Sequence, residues 1–280
     1  TVSKEEAPKC GPNTEVFYDL GKHFQCGENC RPGCRCGRFV EIQNNLLITW
    51  YFDDEKDILR PLDEPFVESV IGIERLAMLL NGHDTVYGIK NLANVLSFLR
   101  HFKLTQLSYL ENVEKQERIL VDYLISFLFL TADGALSPGK GGRRRLMRKL
   151  ARGVLTAMRL LGISDIQFLQ LIIDYIESVY TKRHKYLGHA RDLALLYLLE
   201  EEIIFEDTLS SAVRGFEQLI EAEDEKLDST DIVEFEKENG LPHDIALVML
   251  RERQIPFNRD TYDQAYEVWY EREVSKSLAS

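Results

Sequence analysis

Between Phe66 and Leu80 the hydrophobic pattern changes its period. Residues 66–71, Phe-Val-Glu-Ser-Val-Ile, alternate and are rich in β-branched side chains, the pattern of a half-buried strand. One glycine later, Leu76, Leu79 and Leu80 recur at the spacing of a single helix face. A chain that changes from strand to helix across one residue must turn a corner there, and Gly72 lets backbone approach a ligand closely at that corner. Arg75 stands just inside the helix, where its planar fork of donors suits phosphate oxygens. Taken bare, the same corner is equally well plain architecture.

The flanks follow the same division. From Arg38 to Asp53 the pattern is extended, with Phe39, Val40, Ile42, Leu46, Leu47, Ile48, Trp50, Tyr51 and Phe52. Residues 53–57 read as a polar hairpin, and the next strand is expected to begin near Pro65. An antiparallel sheet with one face covered by the 73–80 helix fits this order. Glu41 and Asn44 fall among apolar neighbours, where polar groups need partners; satisfied core hydrogen bonds are a sufficient account of both. After Gly82-His-Asp84 the periods are helical: Val86–Phe102, Asn112–Asp133, Asp165–Tyr180, Arg191–Leu219, and a last module from Ser229. In that module Asn239-Gly240 ends one helix and Pro242 begins another. Residues 221–228 read as a solvated acidic linker. The expectation is an α+β chain with a sheet-bearing domain over 1–84 and a mainly helical domain over 85–280.

Two clusters carry chemistry. Cys26, Cys30, Cys34 and Cys36 lie within eleven residues, separated by three, three and one, with glycines and a proline between them. Such a knuckle can wrap four thiolates around one tetrahedral Zn²⁺ with no open position, a structural rather than catalytic metal; reduced, metal-free thiols are the alternative. Cys10 stands apart and is not expected to be a ligand. The second cluster is Lys140, Arg143, Arg144, Arg145, Arg148, Lys149 and Arg152, a run interrupted by no acid and opened by glycines at a helix start. Phosphate contacts of this kind give affinity without sequence choice, and a solvated face is the plainer alternative. The net charge of −12 argues against unspecific nucleic-acid binding but not against a local basic surface, because charges are screened over about 8 Å. No apolar run is long enough to cross a bilayer, and no secretory signal opens the sequence, so a cytoplasmic protein is expected. The six histidines are scattered without ligand or triad spacing and are read as structural.

Gly72-Ile-Glu-Arg-Leu76 resembles motif 3 of class II aminoacyl-tRNA synthetases. Cys10-Gly-Pro-Asn-Thr-Glu-Val-Phe-Tyr-Asp19 and Gly37-Arg-Phe-Val-Glu-Ile-Gln-Asn44 are similar to blocks upstream of that motif in alanyl-tRNA synthetases, and Ala132-Asp-Gly134 with the arginine-rich helix resembles that family's tRNA-recognition domain. The resemblance runs from Cys10 to about Ser275, dense before residue 80 and patchier after. It implies ATP and Mg²⁺ bound by Glu41, Gly72, Glu74 and Arg75, with Arg75 on the triphosphate. It implies alanine held by Asn44 and Glu68, and a tRNA acceptor arm gripped by the 140–152 run. Motifs 1 and 2 have no counterpart here, so an N-terminal synthetase half, or a longer chain of which this is a piece, is expected to supply them.

Departures fall at sensitive positions. The family's Asp-Thr-Gly before motif 3 reads Glu68-Ser-Val70, and Val70 puts bulk where a glycine leaves room for a small substrate; extra bulk in a packed pocket costs about 1–3 kcal/mol. Gln43 replaces a usual tryptophan. By the resemblance, the loop asparagine and the aspartate that read the acceptor stem's wobble pair in the family are replaced here by Gly139 and, within one residue, by Lys237. The expected activity is alanine–tRNA ligation or a subunit of it. The alternatives are a non-catalytic, synthetase-like RNA-binding or regulatory paralogue and a zinc-stabilised helical interaction protein.

Overall fold

A computed structural model describes residues 8–34, 36–53, 56–101, 113–163, 165–223 and 227–279. Of the segments read above, residues 1–7, the hairpin positions 54–55, Phe102, Asn112 and linker residues 224–226 lie outside the described residues. The chain divides into two compact units, residues 1–93 and 94–280.

The first unit is an antiparallel sheet of β1 (Lys9–Cys10), β2 (Asn13–Asp19), β3 (Phe39–Asp53) and β4 (Ile58–Ile71). β1 and β2 lie end to end along one side of β3, and β4 pairs with its other side. The join between β1 and β2 requires a glycine: a Cβ on Gly11 would stand 1.8 Å from the Leu47 carbonyl oxygen. β4 begins at Ile58, not near Pro65. Its prolines are accommodated because Ile48 pairs with Phe66 but Trp50 with Pro61, so residues 62–65 bulge out of the ladder on an edge strand, where a missing N–H costs nothing.

α1 (Ile73–Leu80) follows β4 with Gly72 between them, the corner expected from the change of period. Its Met78 is buried, but the helix covers little of the sheet. Eight residues of helix span about 12 Å, whereas a fifteen-residue strand runs about 50 Å. Leu47, Trp50, Phe66, Val67, Val70 and Ile71 therefore remain exposed.

The expected 86–102 helix is shorter. Val86–Gly88 form a 3-10 turn capped by the Thr85 hydroxyl, and α2 runs Lys90–His101. In the second unit α3 (Val113–Ala132) and α4 (Gly142–Leu160) form a hairpin whose buried seam is Leu120, Leu124, Phe127 and Leu128 against Met147, Ala151 and Val154. Gly153 permits that approach, since a Cβ there would come 2.3 Å from the Tyr123 ring. α5 (Ile166–Tyr180) starts at an Asp165 cap, and a 3-10 turn at Lys185–His189 leads into the long α6 (Arg191–Glu223). α7 (Ser229–Asn239) begins in a capping box at Asp228 and ends at Gly240 in the left-handed region, φ 72°. α8 (His243–Glu252) and α9 (Arg259–Ala279) complete the unit. Phe205, Leu209 and Phe216 of α6 pack with Ile232, Val233, Leu250 and Tyr262 in a second core. At its edge the buried Glu236 carboxylate accepts a hydrogen bond from the Tyr262 hydroxyl (2.6 Å) and lies 2.9 Å from His243 Nδ1, a polar cluster that sequence spacing does not reveal. No described helix is long and apolar enough to cross a membrane.

Candidate functional site

Simple alternation along β3 would place Glu41 and Asn44 on opposite faces. The register prevents it. Val16 lies opposite Gln43 but Phe17 opposite Glu41, so Ile42 is an extra residue in β3. With β2 alternating through Glu15, Val16 and Phe17, the bulge carries Glu41 onto the face that holds Glu15 and Asn44. β4 brings Val70 opposite Asn44 and Glu68 opposite Leu46, on that same face. The structure thus gathers Glu41, Asn44 and Glu68 on one surface, beside the corner from which Arg75 projects.

The corner is tied to the bulge. The Gly72 N–H donates to the Ile42 carbonyl at 3.2 Å, and Arg75 Nη1 donates to the Glu41 carbonyl at 2.8 Å while lying 3.6 Å from Glu41 Oε2. Gly72 has an ordinary φ of −74°, so its glycine serves space, not backbone conformation: a Cβ would press on Arg75 Cδ at 3.2 Å. Arg75 keeps 49% of its side-chain exposure, leaving guanidinium edges open to an anion. Glu74 is exposed in the first turn of α1, and Glu68 is exposed on β4.

Asn44 is held from one end only. Its Nδ2 donates to Glu15 Oε1 at 3.2 Å, and Asn13 Nδ2 donates to the same oxygen at 3.3 Å. Asn44 Oδ1 is buried and has no hydrogen-bond partner among the described residues. Sequence reasoning does not single out Glu15; its one local signal is a charged residue inside an alternating strand. The other face carries a separate polar chain, in which Asn45 Oδ1 accepts from Gln43 Nε2 (2.8 Å) and the Ser69 hydroxyl (2.7 Å).

In the knuckle, the sulfurs of Cys26, Cys30 and Cys36 all lie within 4.8 Å of one another, and Cys30 Sγ is 3.6 Å from Cys36 Sγ. Sulfurs about 2.3 Å from a tetrahedral zinc stand roughly 3.8 Å apart, so these three fit the ion. Cys34 is not part of that group; its Sγ accepts the Arg31 N–H at 3.3 Å. The thiols already share protons unevenly. As the donor to Cys36 and Cys30, the Cys26 thiol is pushed up to about 12, while the Cys26 backbone N–H pulls Cys30 down to about 7. Arg38 anchors the knuckle to the sheet by a fork on Asp19, with both N···O distances 2.7 Å.

The basic run divides into two kinds of residue. Arg148 Nε and Arg152 Nε both reach Glu201 Oε1, at 3.3 and 2.7 Å, and that carboxylate is only 2% exposed. Arg144 folds back onto the Ser137 carbonyl (3.1 Å) and hydroxyl (3.2 Å), filling the space a side chain on the buried Gly139 would need. Lys140, Arg143, Arg145 and Lys149 are exposed, and no ion pair holds them among the described residues. Lys140 precedes the helix, in the loop. Lys237 of α7 sits 4.7 Å over the Tyr266 ring, its ammonium pKa lowered by burial and further by nearby Lys149. Glu201 escapes sequence reasoning; two arginines four apart facing one acid on a distant helix leave no local mark.

A strand–corner–helix with a half-exposed arginine is followed in the chain by a helical unit with a basic helix. The family model described as tRNA synthetases class II (A) matches residues 3–279, and the chain belongs to that family. Its curated relatives include the alanine–tRNA ligases of Alkaliphilus oremlandii, 26% identical over 92% of this chain, and Clostridioides difficile, 27% identical over 94%. That of Thermotoga petrophila is 29% identical over 91% of the chain. The chain spans only about 30% of the length of these relatives.

Proposed function

We propose that this chain is the motif-3 and helical portion of the aminoacylation module of an alanine–tRNA ligase, acting with class II motifs 1 and 2 carried either on a longer protein of which it is a piece or on a separate polypeptide. In this reading ATP activates alanine to the adenylate, and the aminoacyl group passes to the tRNA 3′ end. The observation that carries it is Asn44 Oδ1, a buried acceptor without a donor on the face shared with Glu41 and Glu68. An unpaired buried acceptor costs about 1–3 kcal/mol, and a substrate ammonium group would satisfy it.

Each residue then has a physical task. Asn44 orients the amino group through Oδ1, with Glu15 holding its amide in place. Glu68 adds a carboxylate for the same ammonium ion, and Arg75 offers its open edges to the triphosphate. Glu41 faces the phosphates with a carboxylate suited to Mg²⁺, which when bound neutralises triphosphate charge. Gly72 and Glu74 shape the corner that presents Arg75, and the 140–152 run receives the acceptor arm. The three close thiols favour a structural Zn²⁺, with Cys34 the remaining candidate for a fourth ligand. The exposed apolar residues of β4 and β3 support a partner half seated against this sheet. This reading keeps a catalytic-core domain over 1–84 and a tRNA-recognition domain over 85–280, in a cytoplasmic protein.

Val70 supports a second reading. It stands directly across from Asn44, 60% exposed, so its isopropyl group occupies the surface the amino acid would use. A non-catalytic RNA-binding paralogue would tolerate that bulk. Charging of total tRNA with alanine, measured with and without a chain carrying motifs 1 and 2, separates the readings. Charging in the mixture alone is the expected result. Absence of charging in both, with salt-dependent tRNA binding intact, would sink the ligase reading.

A further inference from the structure

A second acid-free stretch runs from Ser178 to Arg191, with Lys182, Arg183, Lys185 and Arg191 beside His184 and His189. Arg191 is committed to Asp174. Lys182, Arg183 and Lys185 are exposed, and none enters an ion pair among the described residues. They project from a closed turn: the Thr181 N–H donates to Glu177 O at 2.8 Å, the Arg183 and His184 N–H groups both donate to Tyr180 O at 3.0 Å, and Leu187 is buried beneath them.

Four rings meet at this turn. Phe129 of α3 meets Tyr180, His184 and Tyr186 edge-on, at 5.6, 5.1 and 6.4 Å between centroids, and His184 meets Tyr186 edge-on at 6.0 Å. Such contacts fix the plane of each ring, yet Tyr186 keeps 43% of its exposure. The C-terminal dipole of α5 accounts for a lysine or an arginine just past its last turn. It does not account for an exposed tyrosine packed edge-on against two rings in the same turn as three cations that no ion pair holds among the described residues.

The position of the cluster matters. Phe129 lies in the last turn of α3, and the loop that follows is tied to both helices, by the Ala135 N–H on Leu130 O (2.9 Å) and the Gly139 N–H on Arg144 O (3.0 Å). Lys140 and Arg143 therefore open from the same end of the α3–α4 hairpin as the ring cluster.

We propose that the Lys182–Tyr186 turn is a second RNA-contact surface. Lys182, Arg183 and Lys185 take backbone phosphates, and Tyr186 stacks on an unpaired base, extending the phosphate track that starts at Lys140 and Arg143. The inference rests on the RNA-binding reading of the basic helix and adds to it a distinct element. Single strands are held by cations along the backbone together with aromatic faces for the bases. An acidic polypeptide would engage the cations and leave the ring idle.

The test uses the full chain, a fluorescently labelled RNA hairpin with an unpaired 3′ tail, and the same hairpin with a blunt end. Neutralising Lys182, Arg183 and Lys185 together to glutamine is expected to flatten the dependence of log affinity on log salt by about 2–3, some 0.7–0.9 for each phosphate that is no longer neutralised. Tyr186→Ala is expected to weaken the tailed hairpin by about 5- to 150-fold and leave the blunt one unchanged, while Tyr186→Phe binds as the parent does. Unchanged thermal midpoints show that the variants fold. The comparison variant neutralises Arg143, Arg145 and Lys149. If it weakens binding while the turn variants behave as the parent, the second surface is overturned and the RNA reading of α4 stands. If neither triple variant changes RNA binding, both fall. Equal competition by polyglutamate, with Tyr186→Ala silent, makes the turn a site for acidic chains and also overturns the proposal.

Discussion

Replacing Glu201 with glutamine separates what the arginines of α4 do for the fold from what its open cations do for RNA. The Glu201 carboxylate is 2% exposed and faces Arg152 Nε at 2.7 Å and Arg148 Nε at 3.3 Å. Hydrogen bonds between charged groups contribute about 1.5–3 kcal/mol each, which sets the upper scale. Both arginines retain 24% exposure, so each recovers part of its hydration, and the glutamine carbonyl still accepts one bond. The net cost is then about 2–3 kcal/mol. In a unit the size of residues 94–280, each kcal/mol moves the thermal midpoint by roughly 2–4 °C, so the variant should melt about 4–12 °C lower. Calorimetry of the full chain measures this, with the exposed Arg143→Gln as a control that should shift by less than about 1 °C. The same variant frees two guanidiniums, so its salt slope for RNA should steepen by about 1–2. A midpoint within about 1 °C of the parent, with an unchanged slope, would refute the view that Glu201 holds these arginines for structure.

Other positions respond in different measurements. The Arg38 fork, helped by the Gly21 N–H, holds the Asp19 carboxyl at about 2, down from an ordinary 3.8. Because the folded value is the lower one, the stabilisation is complete above about pH 4 and drains away as pH falls toward 2. Asp19→Asn should lower the melting midpoint at neutral pH and flatten the profile across that window, so that variant and parent converge as the pH falls toward 2. Cys36→Ser removes one of the three converging sulfurs; metal analysis should show zinc lost from the variant and about one per chain in the parent, with parent thiols protected from titration. Gly139→Asn would set a Cβ 2.6 Å from Arg144 Nε and expel that arginine from Ser137. Its salt slope for RNA should then steepen by about 1 with little change in affinity for blunt duplex over single strand.

How much of this is legible in sequence depends on the range of the interaction. The corner at Gly72 is readable because the change of period and the glycine are local, and so are the helix ends at Asp165, Asn239 and Gly240. The start of β4 is not, because a strand that absorbs Pro61 and Pro65 does so through a bulge whose register belongs to its partner, Ile48 to Trp50. The same limit applies within the site. Glu41 and Asn44, three apart, cannot share a face under plain alternation; the extra residue Ile42 becomes visible only against Val16 and Phe17. The four cysteines are readable as a knuckle from spacing alone, but which three sulfurs converge depends on how the Gly27–Gly37 loop folds.

The basic surface shows why a run of like charges says less than it promises. Arg144, Arg148 and Arg152 serve a loop and a buried carboxylate, so three of seven cations stabilise the helix they were read from. The remaining four, with Lys182, Arg183 and Lys185, are exposed and held by no ion pair among the described residues, and on this helical unit they are the cations proposed to meet RNA. In a chain of net charge −12, attraction over distance is unfavourable, and only short-range contacts inside a screening length of about 8 Å can favour RNA. Binding by this protein should therefore grow weaker with salt at a slope set by these few open residues, not by the total charge. Seven cations at 0.7–0.9 each give a slope of about 5–6, and a slope well above about six would mean that Arg144, Arg148 or Arg152 leaves its partner when RNA arrives. Where Arg148 and Arg152 are the ones that leave, Glu201→Gln would no longer steepen the slope, which ties this count to the stability measurement.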